Sequence, residues 1–302
     1  MLATKESVAK LAIFAVSLLI GMKVAASIVT GSIAITADAI HSVIDLFGVV
    51  IGYIGIRIAG KPPDERHPFG HGKAENVAGV VIAGLIAIAA GIIAYQAVAR
   101  MITGGAVELV TLGIYVTAAA IAINLAISWY AMNVARATDS IALEATARDM
   151  LADVLSSVAV LVGLILVQLT DIAILDPIVA LLVAALIVRT AYVVMKKSLA
   201  GLMDTKLPQA EEDEITACIK EHGGQIAGFH QVRTRKAGSQ RHIDFHLLVS
   251  KHIRVEKAHR LCDELEREIE TRLSYTSVTI HVEPCDGKCQ QCSTSPDLCQ
   301  PT

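Results

Sequence analysis

The chain has 302 residues, 54% of them hydrophobic and 18% charged, with a formal net charge of −3 and a mean hydropathy of +0.57. That is too apolar for an ordinary soluble domain, so composition selects a membrane protein. The charge is too mild to suggest a nucleic-acid partner.

The apolar residues are unevenly spread. From Met1 to about Leu202 they form long runs, and after Asp204 the chain becomes charged and ordinary. This predicts a transmembrane domain over 1–202, a soluble domain over 203–284, of a size that folds alone, and a tail over 285–302. The opening "MLATKESVAK" runs into the first apolar segment without a small-residue cleavage site. A retained helix is expected there, not a signal peptide.

A helix that crosses lipid takes about 20 mostly apolar residues. Six segments qualify as expected spans: Val8–Val29, Ser32–Ile58, Val77–Ala99, Leu109–Val134, Ile141–Leu169 and Ile174–Val194. The sixth opens on Asp176–Pro177, with proline at the first helical position. Lys23 interrupts the first and Arg189 lies near the end of the last; both are expected to snorkel or pair near an interface. The positive charges set the orientation. Arg57, Lys61, Arg66 and Lys73 lie between spans two and three, and Lys196, Lys197 and Lys206 follow span six. The connections between spans one and two and between five and six have no Lys or Arg. Both termini are therefore expected in the cytosol.

Span two contains "TADAIHSVID". His41 and Asp45 are four apart and so share a helix face, roughly 40° apart around the axis; Asp38 lies near that face. In span five, "ARDMLADVLSS" repeats the spacing with Asp149 and Asp153. A lone intramembrane Asp can be a packing group, but two such pairs cost several kcal/mol unless they have partners. One imidazole and three carboxylates suit a divalent cation of the Zn, Fe, Mn or Cd kind, and a tetrahedral arrangement fits Zn best. A proton path uses the same residues. These groups must shed protons to take metal, so the two uses are compatible. An intramembrane metalloenzyme would need a base beside an open metal position, as in H-E-x-x-H, and that pattern does not occur.

The soluble part reads as helix, strand, strand, helix, strand. "LPQAEEDEITACIKEHGG" is a helix closed by Gly223–Gly224. Ile226–Arg235 is a strand, and Arg241–Val249 alternates with Ile243, Phe245, Leu247 and Val249 on one face. Arg254–Leu273 is an amphipathic helix, and Ser277–Glu283 alternates again with Val278, Ile280 and Val282 inward. His246, His281 and Glu283 then lie opposite the core, and His230 and His259 could join them. In the loop "PPDERHPFGHGKAE", the spacing of Asp64, His67 and His71 fits either a metal site or a solvated loop. Cys285, Cys289, Cys292 and Cys299 form C-x3-C-x2-C-x6-C. On the cytosolic side these read as thiolates for metal capture rather than disulfides, or as incidental thiols of a disordered tail. Cys218 and Cys262 fall on predicted helices as core thiols.

"ADAIHSVID", "HPFGHGKAE", "DMLADVLSS" and "GLMDTKLP" together resemble the cation diffusion facilitator family of divalent-metal transporters, over nearly the whole chain. The resemblance implies a homodimer in the lipid bilayer, here a bacterial inner membrane. Each chain would have six transmembrane helices and a cytosolic α+β ferredoxin-like domain (αββαβ). It implies a secondary transporter, not an enzyme, that exports metal against incoming protons. By position, the transport site falls on His41, Asp45, Asp149 and Asp153, with Asp38 lining the cavity. Asp64, His67 and His71 match a loop metal site. His230, His246, His259, His281 and Glu283 match a dimer-interface site where metal would bridge protomers and report cytosolic abundance. Lys73 matches a loop lysine that pairs with Asp204. The His-x3-Asp and Asp-x3-Asp set is closest to the zinc, iron and cadmium members, and zinc is the expected cargo. A transport-inactive metal sensor or assembly scaffold of the same fold is the alternative.

Overall fold

The computed structural model describes residues 4–30, 33–103, 111–170 and 174–285. Some helical side chains, including those of Asp38 and His41, lie outside the described set. The chain divides into two compact units, Met1–Ala200 and Gly201–Thr302.

The first unit is helical: α1 (Lys5–Thr30), α2 (Ile33–Ala59), α3 (Lys73–Thr103), α4 (Thr111–Thr138), α5 (Ile141–Thr170) and α6 (Leu175–Leu202). Over the described residues, Lys5–Ala26, Lys73–Ala99, Ala118–Thr138 and Pro177–Leu202 are long and apolar enough to cross a membrane. Their outward faces carry large apolar side chains, among them Phe14, Ile88, Trp129 and Leu182, each more than 60% exposed. Such a surface is costly in water and natural in lipid. The inner faces are built from small residues. Ala78, Ala131, Ala135, Ala142 and Ala147 pack in one cluster with Val8, Ile56 and Leu143.

Small residues let helix backbones approach, which is how helices pack where lipid removes the hydrophobic drive. In α2, Gly48, Gly52 and Gly55 repeat at helical spacing. A Cβ at Gly55 would lie 2.5 Å from the Ala78 Cβ of α3, and one at Gly52 2.2 Å from the Thr146 hydroxyl of α5. This stripe fixes how closely α2 lies against both neighbours.

Polar groups tie the same bundle. Glu75, fully buried near the start of α3, pairs with Lys5 of α1 and accepts a hydrogen bond from Ser140 Oγ at 2.7 Å, just before α5. Asn76 Nδ2 donates to the Ser198 carbonyl of α6 at 3.1 Å. Burial of a carboxylate is tolerable only with such partners.

The second unit runs α7 (Gln209–Glu221), β1 (Gly228–Ala237), β2 (Gln240–Ser250), α8 (Val255–Arg272), β3 (Thr276–Cys285). The sheet order is β1-β2-β3, with β1–β2 antiparallel and β2–β3 parallel. A parallel pair needs a crossover, and α8 supplies it. The expected alternation holds: Ile243, Phe245, Leu247 and Val249 are buried with Ile215, Ile219, Leu261, Leu265 and Ile269, while Val278, Ile280 and Val282 pack at the edge of that core. Cys218 and Cys262 are buried free thiols in it.

Candidate functional site

Among the described residues, three carboxylates line a cavity in the helical unit, and two clusters bring ligand atoms close enough to share a metal ion.

The first of these groups lies inside the helical unit. Asp45 of α2 and Asp149 and Asp153 of α5 line one small cavity of about 20 Å³, together with Lys23, Ser42, Asn124 and apolar side chains such as Val16, Val49 and Met150. Thus α2 and α5 do bring three of the four expected transport residues to one place. The fourth, His41, lies outside the described side chains; it stands one turn before Asp45 on α2. Asn124 Nδ2 of α4 donates to Asp153 Oδ2 at 2.7 Å, which fixes one carboxylate. Gly48 makes room for Asp149, since a Cβ there would lie 2.7 Å from Asp149 Oδ2. Lys23 is buried, 2% exposed, and paired: it donates to Ser42 Oγ at 2.7 Å. A polar ring around a cavity in an apolar bundle is a binding arrangement for a charged species.

The second group is the loop before α3. The Asp64 carboxylate accepts backbone N–H bonds from Arg66 at 2.9 Å and His67 at 2.7 Å, a side-chain-capped turn. Gly70 takes φ 79°, which glycine adopts without strain, and turns the chain back. His67 Nδ1 comes within 3.2 Å of one Asp64 oxygen and His71 Nε2 within 3.3 Å of the other. The His67 backbone N–H holds the Asp64 carboxyl below its ordinary value, with the His67 ring as a smaller cause. One ligand atom from each residue lies within 4.8 Å of the others, close enough to share one ion. Among the described residues, Nδ1 of His71 is buried without a hydrogen-bond partner. The spacing of the loop histidines yields a cluster in which Asp64 and His67 are exposed and His71 is half-buried.

The third group stands on the sheet. His230 of β1 pairs in register with His246 of β2, which pairs with His281 of β3, so a single rung crosses all three strands. A bulge between His230 and Arg233, with Gln231 at φ 52°, allows this. Strict alternation would put His230 and Arg233 on opposite faces; the extra residue sets both against His246 and Asp244, which share one. Glu283, two residues beyond His281, takes His230 Nε2 at 2.9 Å and His246 Nδ1 at 2.8 Å. Hydrogen bonds from His246 and then His230 hold its carboxyl below the ordinary value. His230, His246 and Glu283 form the compact cluster, while His281 is a rim member, with Nε2 3.8 Å from Glu283. His259 is not part of it: it sits exposed on α8 with Nδ1 3.5 Å from Asp263.

Asp204 accepts from Arg235 Nη1 at 3.2 Å, and Lys73 opens α3. Cys285, at the end of β3, is disulfide-bonded rather than a free thiolate. Cys289, Cys292 and Cys299 lie outside the described residues. The sequence reading missed Asn124, Gly48 and the part played by Lys23; their residue types in apolar helices were the available signal.

Both units of the chain are similar to known proteins. A model of the cation efflux transmembrane domain matches residues 9–203, and one of the cation efflux protein cytoplasmic domain matches 207–285. An uncharacterized transporter of Synechocystis sp. is 35% identical over 266 residues, 88% of this chain and 86% of that protein. The cation-efflux pump FieF of Shewanella oneidensis is 30% identical over 266 residues, 88% of this chain and 89% of the pump. An uncharacterized transporter of Bacillus subtilis, YdbO, is 32% identical over 288 residues, 94% of this chain and 97% of that protein. With a transmembrane and a cytoplasmic cation-efflux domain in succession, the chain is a member of the cation diffusion facilitator family.

Proposed function

We propose that the protein exports a divalent metal cation from the cytosol in exchange for protons. Zinc is the first choice, ahead of Fe²⁺, Cd²⁺ and Mn²⁺. The working form is a homodimer with six transmembrane helices per chain and both termini cytosolic. The observation that carries this reading is the cavity shared by Asp45, Asp149 and Asp153 in a family of cation-efflux proteins. His41 completes the ligand set. Its imidazole gives the site nitrogen character, which favours zinc over a purely carboxylate metal.

Metal enters a cavity open to the cytosol and displaces protons from the ligands. The helices rock to face outside, and protons there compete for the same atoms and release the cargo. Moving a dication outward against 100 mV costs about 4.6 kcal/mol, twice the figure for one charge; proton entry offsets it. The αββαβ unit, in this reading a ferredoxin-like module, would bind metal on its histidine rung. A second protomer would complete that site, and the bound metal would signal cytosolic excess. The loop cluster is a third metal site, and the Lys73–Asp204 pair joins membrane and soluble domains.

The test is flux in liposomes under a pH gradient, following Zn²⁺, Fe²⁺, Cd²⁺ and Mn²⁺, with Asp153→Ala in parallel. Zn²⁺ movement that needs both the gradient and Asp153 is expected. Preference for another ion changes the cargo and keeps the mechanism. A folded dimer that moves no metal replaces this reading with a membrane metal sensor or scaffold.

A further inference from the structure

Lys23 is a cation buried in a site built for cations. Its side chain is 2% exposed and is among the largest fully enclosed ones in the molecule. Ser42 Oγ accepts one of its protons at 2.7 Å. The residue lines the same cavity as Asp45, Asp149 and Asp153. Packing alone does not account for it, since Val16 and Leu19 of the same helix fill the apolar part of that wall. An ammonium in an apolar bundle needs opposite charge nearby, and these three carboxylates line its cavity.

The cavity is small. About 20 Å³ is room for roughly one water molecule or one bare ion. A metal ion that enters therefore lies next to the Lys23 ammonium or takes its place.

We infer that Lys23 is a built-in competitor of the transported metal: a tethered cation that occupies the carboxylate cavity when the metal has left and repels the metal when it is present. This rests on the transport site proposed above. Two properties follow. The emptied carrier keeps a counter-charge on its carboxylates, so it does not depend on a second metal to hold the cavity together. Affinity is held low enough for the cargo to leave, as a carrier requires. Ser42, one residue after His41 on α2, accepts a hydrogen bond from the ammonium.

The experiment is calorimetric titration of the full-length protein in detergent with Zn²⁺. Asp64→Ala and His230→Ala are present throughout to remove the other two clusters. Asp153→Ala defines the signal that belongs to the cavity. Lys23→Met keeps the length and apolar stem and removes the charge; Lys23→Arg keeps the charge. Removing one positive charge from contact range is expected to tighten the Asp153-dependent Kd by about tenfold or more. Lys23→Arg should stay within about threefold of the parent on the same scale. In liposomes, Lys23→Met should release Zn²⁺ more slowly per turnover. An unchanged or weaker Kd in a dimeric, folded Lys23→Met protein overturns the role of Lys23 and leaves the transport site standing. Equal tightening in Lys23→Arg overturns it too, because shape and not charge would then be responsible. If no part of the Zn²⁺ signal depends on Asp153, the transport site falls and the role of Lys23 falls with it.

Discussion

Single residues decide how the helical unit can hold an ion. Asn124 is buried, and its amide fixes one oxygen of Asp153. Partners of this kind matter nearly as much as ligands, so Asn124→Leu is expected to weaken metal binding at the cavity by about 10–100-fold. Titration of the variant beside the parent checks this, and Asn124→Asp separates lost geometry from lost polarity. The thiols offer a second test. Burial pushes Cys218 up to about 11 and Cys262 likewise to about 11. Both stay protonated at neutral pH, and a thiol is a poor nucleophile. Iodoacetamide at pH 7.5 should leave them unmodified in the native protein and label both once it is unfolded; mass spectrometry reads the difference. The pairing of Asp149 with Asp153 was legible at this scale, because helical spacing converts directly into a shared face. The direction of Lys23 was not. A lysine stem can reach either way along a helix, and only the packing of α1 against α2 shows which.

Among the elements, α2 is the most constrained. Gly48, Gly52 and Gly55 present a groove to α3 and α5, and only the last meets backbone and a Cβ that cannot swing aside. Gly55→Ala would bring a methyl group within 2.5 Å of the Ala78 Cβ and 3.2 Å of the Ala74 carbonyl. Overpacking of this kind costs about 1–3 kcal/mol. The melting temperature of the detergent-solubilised protein should fall by about 2–4 °C for each kcal/mol. Gly84, with nothing within 4 Å of the added carbon, should accept alanine without loss. The strands of the second unit were readable from their alternation, and Ile243 to Val249 fell on the expected face. The bulge in β1 was not readable. No residue type marks it: Gln231 and Val232 are ordinary strand residues, and the left-handed turn at Gln231 is imposed by the need to pair with β2 on both sides. That bulge decides whether His230 joins His246. His259 shows the converse. Its position in the chain suggested the cluster, and the helix that bears it points it to Asp263.

For the whole molecule, each unit has its own group of candidate metal ligands. The cytosolic unit has its own core and its own cluster, so metal that binds the folded state alone must stabilise it. At a free Zn²⁺ concentration about 100 times Kd, the gain is about 2.7 kcal/mol. In an Asp153→Ala background, a Zn²⁺-dependent rise in the unfolding temperature of this unit is expected, and His230→Ala should abolish it. EDTA should return the parent to the metal-free value. Among the described residues, helices α1 to α6 fall on the apolar runs of the first unit, and those runs were plain in the hydropathy pattern. What held the bundle at one end was not, because Lys5, Glu75 and Ser140 are scattered through the chain and read separately as surface residues. Their junction has a mechanical consequence. Helices pinned at one end behave as the arms of tongs, and their displacement grows with distance from the pin. Asp149 lies nine residues beyond Ser140, about 13 Å up the arm. A tilt of about 10° there moves the carboxylate by about 2 Å, roughly one metal–oxygen bond length. Small rotations about the Glu75 junction are enough to make or break coordination, while the pinned end hardly moves.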